Sequence, residues 1–273
     1  MNHAGTVARL ESEEPTLRLA VLIDADNAQA AVIEGLLAEI ALSGEATVKR
    51  IYGDFTAPTS GSWKKVLQHY AIKPVQQFAY STGKNATDST LIIDAMDLLY
   101  TRKFDGFCLI TSDSDFTGLA MRLREEGLKV FGFGEKKTPE AFRNACHKFV
   151  FTELLRVSSV DEPAHLPSPP VKARRKQAQQ KPAPQKSAAA SEPKFEFPKK
   201  FLLTALEQSL GDAGWALLGT FGRYLTKLQP DFDSRLYGYK KLSDLVKAKT
   251  DLFVTEERQA PGSNQKMLYL RAK

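Results

Sequence analysis

Residues 19–27 read Leu-Ala-Val-Leu-Ile-Asp-Ala-Asp-Asn, and this stretch decides the fold. Five apolar residues in succession, closed by an aspartate, mark a short strand buried on both faces, as strands of parallel sheets are. Working outward, residues 28–42 place Val32, Leu36, Leu37 and Ile40 at helical spacing, and Gly44 supplies a stop. Further strands are expected at 47–52, 72–78, 107–110, 128–133 and 149–151. Helices are expected at 63–70, 88–102 and 116–126, with a short one beginning near Pro139. Strands alternating with helices of this length imply an α/β domain, its parallel sheet covered on both faces.

In such sheets ligands bind beyond the carboxyl ends of the strands. Acidic residues gather where those ends should lie: Asp24-Ala25-Asp26-Asn27 after the first strand, Asp88 and Asp94 on one helix, and Ser112-Asp113-Ser114-Asp115 after the strand at 107–110. Carboxylates brought together repel unless a cation or basic group lies between them. Hard divalent ions such as Mg2+ take oxygen ligands, usually one or two carboxylates plus water and substrate phosphate. The pattern therefore points to metal-assisted attack on a phosphate ester. Asp26 and Asn27 directly precede a helix and suit its cap, which leaves Asp24 to face the cleft. Asp113 is the stronger ligand of its pair, and Asp115 either holds a water or caps the helix. Asp88 lies in a first helical turn, where the dipole favours a negative charge. Asp94 is rotated well away from it and reads as a supporting group or an ordinary surface residue. Lys84, in the loop before Asp88, is a candidate phosphate contact.

Composition sets the remaining bounds. The chain has 273 residues, 42% of them hydrophobic, which is enough for one or two ordinary cores. No apolar run approaches the roughly 20 residues that span a bilayer, and the N-terminus lacks the pattern of a signal peptide, so a cytoplasmic location is expected. The two cysteines, Cys108 and Cys146, fall inside regular elements and read as reduced packing residues. His69 and His147 have no partners spaced for zinc. There is no nucleophile with a paired base, no Walker loop and no glycine-rich dinucleotide fingerprint. The net charge of +6 is unevenly spread: −2 over residues 1–16, 0 over 17–157, +3 over 158–198 and +5 over 199–273. A neutral catalytic module joined to basic segments suits a nucleic-acid enzyme, because phosphate neutralisation dominates such binding.

These shifts divide the chain into an N-terminal tail (1–16), an α/β domain (17–157), a linker (158–198) and a small C-terminal domain (199–273). The linker is rich in Pro, Ala, Gln, Ser and Lys and lacks the hydrophobic periodicity needed to fold, so it is expected to be flexible. Beyond it, Phe201, Leu202, Leu206 and Leu210 suggest a helix, residues 215–228 a second after Gly219, and Leu242, Leu245 and Val246 a third. Residues 252–254 and 267–270 read as strands paired around Pro261-Gly262-Ser263-Asn264. Three helices and a hairpin describe a winged helix-turn-helix.

The strand ending in Ile23-Asp24-Ala25-Asp26-Asn27, the segment from Gly83-Lys84-Asn85-Ala86-Thr87-Asp88 to Asp94, and Thr111-Ser112-Asp113-Ser114-Asp115-Phe116 together resemble the NYN domain family, a PIN-like nuclease group. That resemblance covers about residues 17–155. It implies a PIN-like three-layer α/β/α fold and a Mg2+- or Mn2+-dependent endoribonuclease. Asp24, Asp88 and Asp113 would bind metal, Asp115 would join them in catalysis, and Asn27, Asp94 and Ser112 would support them. Many members carry Ser-Gly-Asp where this chain has Thr111-Ser112-Asp113. Residues 199–273 resemble a LOTUS (OST-HTH) domain through Gly238-Tyr239-Lys240-Lys241-Leu242 and the terminal hairpin. This implies binding of single-stranded or structured RNA, guanine-rich RNA included, or in some relatives protein contact, with Arg223, Lys240, Lys241 and Lys247 as the contact patch. Two other readings stay open. One is an RNA-binding adaptor on an inactive nuclease fold. The other is a haloacid-dehalogenase-type phosphatase, because Asp24-x-Asp26 after a first strand resembles that nucleophile motif, although Asn27 and Ala28 suit it poorly.

Overall fold

Strand β1 (Arg18–Asp24) lies at the centre of a six-stranded parallel sheet and is almost wholly buried. Its neighbours are β2 (Glu45–Gly53) and β3 (Lys73–Gln76) on one side, and β4 (Gly106–Ile110), β5 (Lys129–Gly134) and β6 (Lys148–Phe151) on the other. The computed structural model describes residues 16–56, 61–78, 86–156, 196–211, 213–259 and 266–273. The loop holding Lys84, the turn at Pro261-Gly262-Ser263-Asn264 and nearly all of the tail and linker segments lie outside those residues.

The order β3-β2-β1-β4-β5-β6 reverses direction between β1 and β4. In a doubly wound sheet that switch point opens a crevice beyond the carboxyl ends of the two strands. The period-2 alternation of β1 feeds two cores. Leu19, Val21 and Ile23 pack with Ile33, Leu36 and Ile40 of α1 (Ile33–Ala41) and Trp63 of α2 (Gly61–His69). Ala20 and Leu22 pack on the other face with Leu91, Ala95 and Leu98 of α3 (Ala86–Tyr100) and Leu119 and Leu123 of α4 (Thr117–Glu125). A fifth helix, α5 (Glu140–Ala145), contributes Phe142 to this second core. By the same parity Asp24 belongs to the α3 face.

The expected helix from residue 28 begins later. A 3-10 turn at Ala30–Val32 precedes α1, and Gln29 stands at its cap position without capping it, its side chain bonded instead to Glu135 and Arg156. Residues 25–28 are instead folded back on Asp24, whose carbonyl accepts from the Ala28 amide at 2.9 Å. Neither Asp26 nor Asn27 caps the helix. Both cysteines are free and buried, and burial pushes their thiols up, Cys146 to about 12. Among the described residues no helix is long and apolar enough to cross a membrane.

The C-terminal domain is a winged helix built from α6 (Lys199–Ser209), α7 (Leu218–Leu228), α8 (Leu242–Ala248) and an antiparallel sheet ordered β7-β9-β8. Its strands are β7 (Ala216–Leu217), β8 (Phe253–Gln259) and β9 (Lys266–Ala272). Strand β7 is too short to leave a periodic signal in the sequence; its two residues pair with Leu270 and Tyr269 of β9. The two domains dock. The amide of Phe149, on edge strand β6, donates to the Pro230 carbonyl at 2.8 Å, while Arg143 pairs with Asp231. Glu39 of α1 bridges Lys148 and Arg235, each at 2.9 Å. The Asp233 carboxylate accepts from both the backbone amide and the guanidinium of Arg235 and holds it in place. Burial opposes the charge on Glu39, but the bonds from Lys148 and Arg235 outweigh it and hold the carboxyl below its ordinary value.

Candidate active site

Asp24 closes β1 with no exposed surface, at the switch point between β1 and β4. A carboxylate so buried must be hydrogen-bonded. Its Oδ2 accepts from Asn27 Nδ2 at 2.7 Å and Thr111 Oγ1 at 2.9 Å, and its Oδ1 accepts from the Asp26 amide at 3.0 Å. Burial raises its pKa, against the pull of those three bonds. Thr111 follows β4 directly, on the same face as Asp24 by strand parity. Its hydroxyl also accepts from the Asp113 amide at 3.1 Å, so one buried side chain links the two acidic segments.

Asp113 stands at the head of a 3-10 turn (Ser114–Phe116), where its Oδ1 accepts from the Asp115 amide at 2.9 Å. The cap in this segment is therefore Asp113, not Asp115 or Ser112. Ser112, nearly buried, uses its Oγ to accept from the Glu135 amide at 2.9 Å and ties the end of β4 to the turn after β5. The extra hydroxyl at this position thus has a structural use.

Asp88, in the first turn of α3, meets Asp113 and Asp115. One carboxylate oxygen from each lies within 4.8 Å of the other two. Burial, then the charges of Asp24, Asp113, Asp115 and Asp26, push the Asp88 carboxyl up to about 6. Three hard oxygen donors at this spacing, with the Asp88 carboxyl held toward its protonated form, fit a divalent cation. The structure thus brings Asp88, Asp113 and Asp115 together. Asp24 lies outside this trio, although its charge is the foremost of those acting on Asp88. Asp94 is elsewhere: it pairs with Arg50 and accepts from the Tyr52 hydroxyl, tying α3 to β2. Beyond Ala25, on the side of α1 and α2, opens a cleft of about 580 Å³ lined by Asp26, Gln29, Asp54, Phe55 and Trp63.

Sequence reasoning passed over Thr111 as a functional residue. The signal available was a hydroxyl at a strand end, in phase with the aspartate that ends the neighbouring strand. Of the basic residues expected to contact RNA, Arg223 and Lys241 are exposed and line one groove, Lys240 is exposed, and Lys247 pairs with Glu257 at 2.8 Å. Lys84 lies outside the described residues.

A profile of the NYN domain matches residues 18–155, and one of the OST-HTH/LOTUS domain matches residues 193–264. No curated protein matches the chain. Among solved structures, an uncharacterised protein of Nitrosomonas europaea is 73% identical over 36% of this chain and 92% of its own, with a TM-score of 0.29. A protein of Chromobacterium violaceum is 30% identical over 29% of this chain and 84% of its own, with a TM-score of 0.24. A protein of unknown function from Vibrio parahaemolyticus is 17% identical over 50% of this chain and 94% of its own, with a TM-score of 0.42.

Proposed function

We propose that this chain, which belongs to the NYN domain family, is a divalent-metal-dependent endoribonuclease whose C-terminal OST-HTH/LOTUS domain captures the RNA. The family is a nuclease family, and LOTUS domains bind RNA. The observation that carries the reading is the meeting of Asp88, Asp113 and Asp115 at the carboxyl edge of the sheet, above a buried fourth carboxylate. Asp88, Asp113 and Asp115 would hold the ion, and Asp24 would add its charge from below. Bound there, Mg2+ or Mn2+ supplies Lewis acidity, offsetting charge on the scissile phosphate and lowering the pKa of water. The protein's own work is positioning. Thr111 fixes Asp113 against Asp24, and Asn27 fixes Asp24 itself. In the cleft lined by Asp26 and Asp54, the half-buried ring of Phe55 offers an unpaired base an aromatic surface.

The phosphatase reading fares worse at the same residue. A nucleophilic Asp24 would need a free oxygen, yet both its oxygens accept hydrogen bonds and none of its surface is exposed. The test uses single-stranded RNA, with and without a guanine-rich element, under titration with Mg2+ and Mn2+. Asp113→Asn should lower cleavage by at least about a thousandfold while leaving RNA affinity within about twofold, since it removes charge from the ion's site and not from the capture surface. Full cleavage by that variant, or cleavage undiminished by a chelator, overturns the proposal. The guanine preference fails separately if the guanine-rich element brings no gain in affinity. Cytoplasmic action is part of the same proposal.

A further inference from the structure

Docking of the winged helix against the sheet creates a groove of about 670 Å³ that belongs to neither domain alone. Lys129, His147 and Lys148 line it from the starts of β5 and β6, and Arg223, Lys227 and Lys241 line it from α7 and the head of α8. Among the described residues Lys129, Arg223, Lys227 and Lys241 make no ion pair, and all four are exposed. Its floor is apolar, with Phe131, Leu218 and Leu242. Gly219 and Gly222, one turn apart on α7, border it; a Cβ added at Gly219 would meet nothing within 4 Å, whereas one at Gly222 would lie 3.1 Å from Leu242 Cδ2, where α7 packs on α8. Gly219, with open space where a Cβ would stand, leaves bare backbone at the groove where a ligand can approach closely. The ring of His147 feels the same surplus of positive charge. Burial, then Arg124 and Lys129, hold its pKa below the ordinary value.

We propose that this interdomain groove binds single-stranded RNA, its phosphates meeting cations of both domains while unpaired bases rest on the apolar floor. The occupant follows from charge and shape. A cationic rim selects a polyanion, which excludes the chain's own linker of net charge +3. An apolar floor has nothing to offer a duplex, whose bases face inward. The inference rests on the ribonuclease reading and adds a second substrate contact to it. Lys129 and Lys148 stand at the amino ends of their strands, whereas the acidic trio stands beyond the carboxyl ends. A strand of six residues is roughly 20 Å long, so only an RNA able to pass round the sheet can occupy both places.

The experiment measures binding of a labelled, unstructured RNA to the full chain by fluorescence anisotropy in chelator, across a salt series. Lys129→Glu, on the nuclease side, and Arg223→Glu/Lys241→Glu, on the other side, should each weaken binding by about tenfold. Replacing Lys129, Arg223, Lys227 and Lys241 together by Ala should lower the slope of log affinity against log salt by about 3, at about 0.7 per phosphate contact. Lys200→Ala/Lys266→Ala, outside the groove, should change affinity by less than twofold, and Lys129→Arg/Lys241→Arg should retain binding, which guards against misfolding. Unchanged affinity in Lys129→Glu overturns the shared site, and equal competition by duplex RNA overturns the single-stranded occupant. Cleavage of a trinucleotide, too short to reach the groove, reports on the acidic site of the wild type alone. If the wild type cleaves neither substrate the nuclease reading fails, yet the anisotropy still decides the groove.

Discussion

Thr111 carries more of the site than its hydroxyl suggests, because it donates to Asp24 and accepts from the Asp113 amide at once. Thr111→Val keeps the shape and removes both bonds, leaving a fully buried carboxylate short of a donor. We expect a loss of roughly 1–3 kcal/mol in urea unfolding, with kcat falling more than KM rises. Thr111→Ser should restore most of both, and a valine variant that cleaves at the wild-type rate would refute the role. Asp88 gives a prediction in pH. Its folded-state pKa of about 6 lies above the ordinary carboxyl value, so between roughly pH 4 and 6 the folded chain holds a proton that the unfolded chain has released. The stability tied to that proton is present below the ordinary value and is lost as pH rises through about 6. The metal-free protein should therefore lose Tm over this window, and Asp88→Asn should flatten that part of the curve. Added Mg2+ should raise Tm above pH 6 and do little at pH 4.5. A pH profile identical in wild type and Asp88→Asn would show that Asp88 does not titrate here.

Strands β4 and β5 must end side by side for Asp113 to leave the sheet where it does. Gly134, the last residue of β5, makes that approach possible: a Cβ there would fall 2.5 Å from the Thr111 carbonyl oxygen and 2.6 Å from Thr138 Oγ1. Neither neighbour can yield cheaply, because the Thr111 amide is bonded to the Phe133 carbonyl and Thr138 Oγ1 to the Glu135 carbonyl. Gly134→Ala should cost about 1–3 kcal/mol and depress cleavage, whereas Gly61→Ala, with nothing within 4 Å, should leave both within error. Equal melting curves for the two variants would contradict this. The elements themselves were legible in sequence wherever burial is two-sided, since β1 and β4 are unbroken apolar runs with an acidic residue close behind. The start of α1 was not legible, because Asp24 draws the backbone of residues 26–28 toward itself and delays the helix. The link through Thr111 was equally hidden: it joins residues 87 apart in the chain, and no local pattern records which carboxylate a hydroxyl will meet.

At the scale of the whole molecule, the docking of the two domains is what sequence could not show. Glu39, Arg143, Asp231 and Arg235 look like ordinary surface charges along the chain, yet the carboxylates are almost buried, and the pairs join residues 88 and 196 apart. Breaking a fully buried pair costs about 3–5 kcal/mol, chiefly by stranding the remaining charge. Arg143 and Arg235 keep 21% and 30% of their side chains in water, so we expect roughly 2 kcal/mol per pair. That coupling should make the two domains unfold together. Calorimetry of the wild type should give one transition, and Asp231→Ala/Arg235→Ala should split it, with the winged helix melting apart from the α/β domain. Arg143→Ala added to Asp231→Ala should cost little more, because the stranded charge is then gone. Two wild-type transitions that do not move in these variants would show that the docked pairs contribute nothing to cohesion. RNA affinity would then have to come from each domain acting alone.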